Sequence, residues 1–181
     1  MKITPQAIPE VLLLSRDRFT DARGWFTELY NERELQALGF GTRFVQDNLS
    51  RSAPGVLRGL HFQVGPAQGK LVTCVTGRIY DVAADIRPGS PTFGQHVGVE
   101  LTADGGQSLW IPPGFAHGFA VLGTEPALVM YKVDQQRASE GERGVVWSDP
   151  TLAISWPIEH PTLSERDAAL PTLASYDETR R

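Results

Sequence analysis

The sequence is short of cysteine, of basic charge and of long apolar runs. Its one cysteine, Cys74, excludes an internal disulfide and fits a reducing compartment. Cys74 stands in the apolar run 71–75, which marks it as a buried side chain and not a nucleophile. Lysine and arginine number 17 against 21 acidic residues, a formal charge of −4. The basic stripe that would neutralise a phosphate backbone is missing, so no nucleic-acid partner is expected. No apolar stretch is long enough for a signal peptide or a membrane span, so no membrane partner is expected and the expected location is cytoplasmic. Neither an internal repeat nor a low-complexity tract is present.

What is there is turn punctuation. Eighteen glycines and thirteen prolines are scattered along 181 residues, with no cluster that reads as a linker. That length is most simply one domain, 1–181, with a polar, frayed tail at 175–181. An initial β-like stretch at 7–14 and a strand at 25–30 precede the best helix, 31–39. Asn31 is its N-cap, Glu34 stands three residues on as in a capping box, and Gly39 ends it. Strands are then expected at 44–50, 56–62, 71–76, 78–85, 95–101, 108–111, 118–122 and 127–133. Residues 149–157 read as a loop, and Ser164 as the cap of a last helical turn. Many short strands with little helix give an all-β sandwich or barrel.

Two turns carry the chemistry. Pro54-Gly55-Val56-Leu57-Arg58-Gly59-Leu60-His61-Phe62-Gln63 leads from a turn into a strand. Strict alternation puts Arg58 and His61 on opposite faces, unless a bulge at Gly59 resets the register. Later, Pro112-Pro113-Gly114-Phe115-Ala116-His117 offers a second turn and a second histidine. The pair fits the cupin pattern, a jelly-roll barrel with one motif in each of two hairpins. Gln63 replaces the second histidine of the first motif, and Gln68 falls near the place of its carboxylate. Two histidines flanked by neutral amides are a poor divalent-metal set, and His96 and His160 read as solvated residues. The expectation is therefore a cupin pocket with no metal. A metal-dependent cupin oxygenase is the more distant alternative.

A longer series of motifs points to one family. Arg23-Gly24-x-Phe26-x-Glu28, Phe44-Val45-Gln46-Asp47-Asn48 and the Gly55–Gln63 run occur in order with Gln68-Gly69-Lys70-Leu71-Val72 and Ser90-Pro91-Thr92-Phe93-Gly94. Leu109-Trp110-Ile111-Pro112, Gly114-Phe115-Ala116-His117-Gly118-Phe119 and Tyr131-Lys132 follow. The chain resembles the dTDP-4-dehydrorhamnose 3,5-epimerase family over nearly its whole length. The resemblance implies a metal-free jelly-roll homodimer using no organic cofactor. It implies dTDP-4-keto-6-deoxy-D-glucose as substrate and dTDP-4-keto-L-rhamnose as product.

Epimerisation beside a ketone needs a base on one face of the sugar, an acid on the other and a cation for the enolate oxygen. His61 is the natural base, being neutral near pH 7. The resemblance pairs it with Asp167, makes Tyr131 the acid and brings Lys70, one of three lysines, near the C4 oxygen. It directs Arg58 at the diphosphate or sugar and implies a nucleotide and sugar site of Arg23, Glu28, Gln46, Asp47 and Asn48. Arg23 and Glu28 are implied to reach in from the partner subunit. His117 is implied to contact substrate or support the base, and Glu142 and Arg166 to lie near the nucleotide. Members of the family carry an aromatic pair after Tyr131, where this chain reads Asp134-Gln135-Gln136-Arg137-Ala138. Gln135, Gln136 or Arg137 is then left to hydrogen-bond in its place, or Phe26 or Trp25 to supply a ring. The departure motivates a second reading, an epimerase acting at C3 or C5 alone.

Overall fold

The computed structural model describes residues 1–176. The chain opens with a hairpin of β1 (Lys2–Pro5) and β2 (Leu12–Ser15). A small hairpin follows, β3 (Phe19–Asp21) and β4 (Gly24–Phe26), then helix α1 (Glu32–Ala37). Eight strands follow: β5 (Gln46–Ser52), β6 (Leu57–Gln63), β7 (Lys70–Thr76), β8 (Arg78–Asp85), β9 (His96–Thr102), β10 (Gln107–Ile111), β11 (Phe115–Val121) and β12 (Ala127–Val133). A short β13 (Glu142–Gly144) and helix α2 (Glu165–Ala168) complete the site-bearing elements.

The strands make two antiparallel sheets. One has the order β1-β2-β10-β7-β12-β5 and the other β13-β6-β11-β8-β9. Alternation along each strand sends one set of side chains between the sheets. Val72, Ile79, Ala83, Leu101, Leu109, Phe115, Phe119, Val121 and Val129 meet there and exclude water. A side chain of this kind contributes about 1.5–3 kcal/mol when fully buried. Leu60, Phe62, Val82 and Ala116 face outward under Leu152, Trp156 and Leu173. Leu35 of α1 and Phe40 cover Leu14, Leu71 and Trp110 on the other sheet. No described helix is long and apolar enough to cross a membrane.

The expected all-β sandwich is the one observed, with corrections at its edges. The stretch 7–14 is not one strand: residues 6–11 form the turn between β1 and β2, closed by Gln6 N–H to the Val11 carbonyl at 2.9 Å. Pro9 lies in that turn, where a missing N–H breaks no ladder. The strand expected at 25–30 stops at Phe26. Phe44 stands before β5 and packs on Tyr30, Phe40 and Trp110 instead. β11 begins at Phe115, so His117 is a strand residue. Asn31 and Ser164 cap their helices as expected, accepting from Glu34 N–H and Asp167 N–H. The Glu34 carboxylate turns to the Met1 amino group at 2.8 Å and does not close the box. Of the tail expected to fray, Ser175 ends a 3-10 turn capped by Thr172 and Tyr176 packs edge-on against Phe62. Its remainder, 177–181, lies outside the described residues.

Candidate active site

Strict alternation does not hold along β6: the register break left open at Gly59 is present, and it builds the site. His61 pairs with His117 across β6 and β11, whereas Arg58 pairs with Phe119. Three residues on β6 therefore span two on β11. Cross-strand partners share a face, so Arg58 and His61 both turn inward with Phe119 and His117. Gly59 takes φ +113°, and a Cβ there would meet the His117 carbonyl oxygen at 2.6 Å. Only glycine fits that approach.

At this end of the barrel the apolar filling gives way to a polar cavity of about 110 Å³. His61 of β6, Lys70 of β7, Tyr131 of β12 and Asn48 of β5 line it, with Glu142 of β13 and Arg166 of α2 at the rim. Gln63, Gln68, Phe62 and Arg137 complete the wall. Sheet pairing explains the convergence: Tyr131 stands opposite both Asn48 and Val72, and Val133 opposite both Gln46 and Lys70.

His61 is held by α2. Its Nε2 lies 2.7 Å from Asp167 Oδ1, while Asp167 Oδ2 accepts the Gly59 N–H at 3.3 Å. A carboxylate only accepts, so Nε2 carries the ring proton and Nδ1 keeps its lone pair. Burial pushes the His61 pKa below its ordinary value; Asp167 opposes that shift, and the Lys70 and Arg166 charges reinforce it. The imidazole is thus neutral at pH 7. Lys70 is buried, donates to the His61 carbonyl at 3.3 Å and has a pKa lowered to about 8 by desolvation. Burial raises the Tyr131 phenol, against the Arg58 and Arg137 charges that lower it.

The other expected residues divide. His117 lies behind His61, buried, with Nε2 2.7 Å from Asp81 Oδ1, so in this chain it backs the cavity and does not line it. Gln46 faces inward and gives its amide to Asn48 at 2.7 Å. Asp47 is a correction: alternation turns it to the outer face, where it holds Lys132 Nζ at 2.7 and 2.9 Å. Arg58 bonds Ser52 Oγ at 2.7 Å at the open edge. Arg23, Phe26 and Glu28 belong to the β3–β4 hairpin and the segment after it, away from this chain's own cavity. Phe26 is 64% exposed there and Arg23 is tied to Asp21. Sequence reading passed over Asp81, although an acid between Ile79 and Ala83 on an inward strand face was a signal. Arg137, one of the residues expected to hydrogen-bond where the family has its aromatic pair, lines the cavity, and its guanidinium bonds Glu142.

At the cupin ligand positions, the Gln63 amide serves the 134–138 loop. It donates to the Pro66 carbonyl at 2.8 Å and accepts Ala138 N–H at 2.8 Å. Among the described residues no three His, Cys, Asp or Glu side chains are grouped to hold a metal ion. Cys74 is buried as expected, and burial pushes its thiol up to about 11.

The model of the dTDP-4-dehydrorhamnose 3,5-epimerase family matches residues 5–175. The chain belongs to that family. A Pseudomonas aeruginosa dTDP-4-dehydrorhamnose 3,5-epimerase is 52% identical over 98% of each chain. Among solved structures, a Legionella pneumophila dTDP-6-deoxy-D-glucose-3,5-epimerase, in complex with dTDP-4-keto-L-rhamnose, superposes with a TM-score of 0.94. It is 45% identical, over 98% of this chain and 95% of that one. A Bacillus anthracis dTDP-4-dehydrorhamnose 3,5-epimerase with TDP and PPi bound gives 0.90 at 46% identity, over 94% and 98%. The family's cupin fold is the two-sheet fold described above.

Proposed function

We infer that the chain is a dTDP-4-dehydrorhamnose 3,5-epimerase of dTDP-rhamnose biosynthesis, and that His61, Tyr131 and Lys70 carry the chemistry. The observation that bears the reading is one cavity holding a carboxylate-oriented neutral imidazole, a phenol and a buried ammonium. The C3 and C5 hydrogens are both α to the C4 ketone, so loss of either leaves an enolate. His61 Nδ1 takes the proton, and the imidazolium formed is stabilised by Asp167. The Lys70 ammonium holds the developing oxyanion, usually the largest single contribution. Tyr131 returns a proton to the opposite face and is reprotonated from solvent, as His61 is deprotonated. Two such exchanges invert both carbons. Asn48, Glu142, Arg166 and Arg58 bind the nucleotide sugar around the reacting ring.

The functional unit is a homodimer in this reading. Phe19, Trp25 and Phe26 of the β3–β4 hairpin are 50–64% exposed, an apolar arm on which, among the described residues, the Arg18 guanidinium covers one face of Trp25 at 3.9 Å. That arm carries Arg23, Phe26 and Glu28 into the partner's cavity. Mixing His61→Ala with Arg23→Ala subunits restores part of the activity if one cavity draws on two chains; no restoration rejects the shared site.

The reaction is tested by incubating dTDP-4-keto-6-deoxy-D-glucose with the protein in D₂O. Deuterium enters both C3 and C5. Label at one carbon alone means a mono-epimerase, and label at neither removes the reading.

A further inference from the structure

The cavity wall contains one cation that the reaction leaves without a task. Arg137 stands on the loop after β12. Its Nε and Nη2 reach Glu142 Oε1 and Oε2 at 2.6 and 3.2 Å, a bidentate pair. Glu142 also receives Arg166 Nη1 at 3.1 Å. Both arginines hold the Glu142 carboxyl far down, to about 2, so the pair stays charged at any working pH.

The backbone under Arg137 is fastened as firmly. Gln46 of β5 accepts Arg137 N–H through Oε1 at 3.2 Å, and Gln63 of β6 accepts the next N–H at 2.8 Å. Gln68 donates to the Gln135 carbonyl at 2.7 Å, and Asp134 Oδ1 accepts Gly69 N–H at 2.7 Å. Four polar side chains therefore fix a loop with no apolar anchor of its own. Arg137 nonetheless keeps 61% of its side chain exposed at the mouth of the cavity.

A guanidinium in this state has limited means of recognition. Glu142 occupies its hydrogen-bonding edge and cancels much of its charge. The planar face remains, and arginine planes stack on aromatic rings. We propose that Arg137 is a specificity-determining residue whose flat face stacks on the pyrimidine ring of the bound nucleotide. The proposal rests on the dTDP-sugar reading and adds to it a platform made of an ion pair in place of an aromatic side chain. Glu142 acts here as the residue that sets the plane, and Gln46 and Gln63 as those that set its height.

The test is calorimetric binding of dTDP, and of inorganic pyrophosphate as the base-free probe, to wild type and to Arg137→Tyr, Arg137→Lys and Arg137→Ala. Arg137 is exposed, so none of these changes removes core packing. A stacking platform predicts that the tyrosine variant binds dTDP within about threefold of wild type, while lysine and alanine weaken it about tenfold. Pyrophosphate binding then stays unchanged throughout. Lysine as the better replacement, a parallel loss for pyrophosphate, or the same result in all three variants overturns the proposal. Wild-type protein that binds pyrophosphate but not dTDP fails the nucleotide reading itself, a different outcome from any of these.

Discussion

His61 Nε2 and Asp167 Oδ1 stand 2.7 Å apart although 106 residues separate them in the chain. The contact joins an inward residue of β6 to the first turn of α2, whose cap Ser164 accepts the Asp167 N–H through Oγ at 3.0 Å. Asp167 accepts from two donors, the His61 ring and Gly59 N–H, and is almost fully buried. In Asp167→Asn one of those donors faces an amide NH₂, at a cost of about 1–3 kcal/mol in stability. The imidazolium also loses its counter-charge. The expected result is a fall in kcat of about 10²–10⁴, within the range for general acid–base groups. Asp167 raises the His61 pKa, so the acidic limb of kcat/KM moves to lower pH in the variant. A pH profile checks this: a purely structural Asp167 leaves the limb where it was.

Tyr131 serves the face opposite the base. Tyr131→Phe keeps the ring that packs beside the apolar core and removes only the hydroxyl. His61 still takes protons and Lys70 still holds the enolate, so hydrogen exchange with solvent continues from the His61 side. Inversion falls about 10²-fold or more, since the acid is gone. Proton NMR in D₂O reads both quantities on one sample. Exchange and inversion falling together would place Tyr131 elsewhere in the reaction.

Most strands were legible because period-2 alternation between glycine and proline turns is a local signal. What was not legible depended on partners distant in sequence. The Ala7-to-Leu14 stretch is apolar apart from Glu10 and is interrupted at Pro9, and only the pairing of Leu12–Ser15 with Lys2–Pro5 shows that its first part is a turn. Asp47 and Asn48 are neighbours in a polar run, and only the pairing of Tyr131 with Asn48 says which one faces inward. The glycine bulge was visible as an alternative to plain alternation, because glycine inside a strand pattern is a bulge signal. Arg137 was legible only as one of three polar residues standing where the family has aromatics, since nothing within that segment reveals its pair with Glu142 or the hold of Gln46 on its backbone N–H.

Gly59→Ala tests the bulge. The added Cβ would meet backbone atoms, the His117 carbonyl oxygen at 2.6 Å and Gly118 Cα at 2.7 Å, at a φ of +113°. Backbone cannot swing aside as a side-chain tip does. The expected cost is about 3 kcal/mol or more, from strain and overpacking together. Chemical denaturation measures it. Activity falls further than stability alone requires, because the same two strands orient His61. A variant with wild-type stability and turnover would show that β6 holds its register without this residue.

Lys70 ties activity and stability to the same ionisation, with opposite signs. The folded chain holds it at a pKa of about 8, against 10.5 for a free side chain, because burial penalises the ammonium. Below pH 8 it is protonated in both folded and unfolded states, and its burial costs about 3 kcal/mol, taken as 1.36 kcal/mol per pKa unit. Between pH 8 and 10.5 the unfolded chain binds the extra proton, so this contribution makes stability rise with pH. Catalysis runs the other way: the enolate needs the ammonium, and kcat/KM declines as pH passes 8. Lys70→Met removes both effects. At pH 7 the variant is more stable than wild type by about 1–3 kcal/mol and nearly inactive, and its stability advantage shrinks towards zero near pH 10.5. Groups common to both proteins cancel in that difference. Paired denaturation curves at pH 7 and pH 10.5 decide it, and a methionine variant less stable than wild type at pH 7 would mean that Asp81 and Glu142 more than offset the desolvation of the amine.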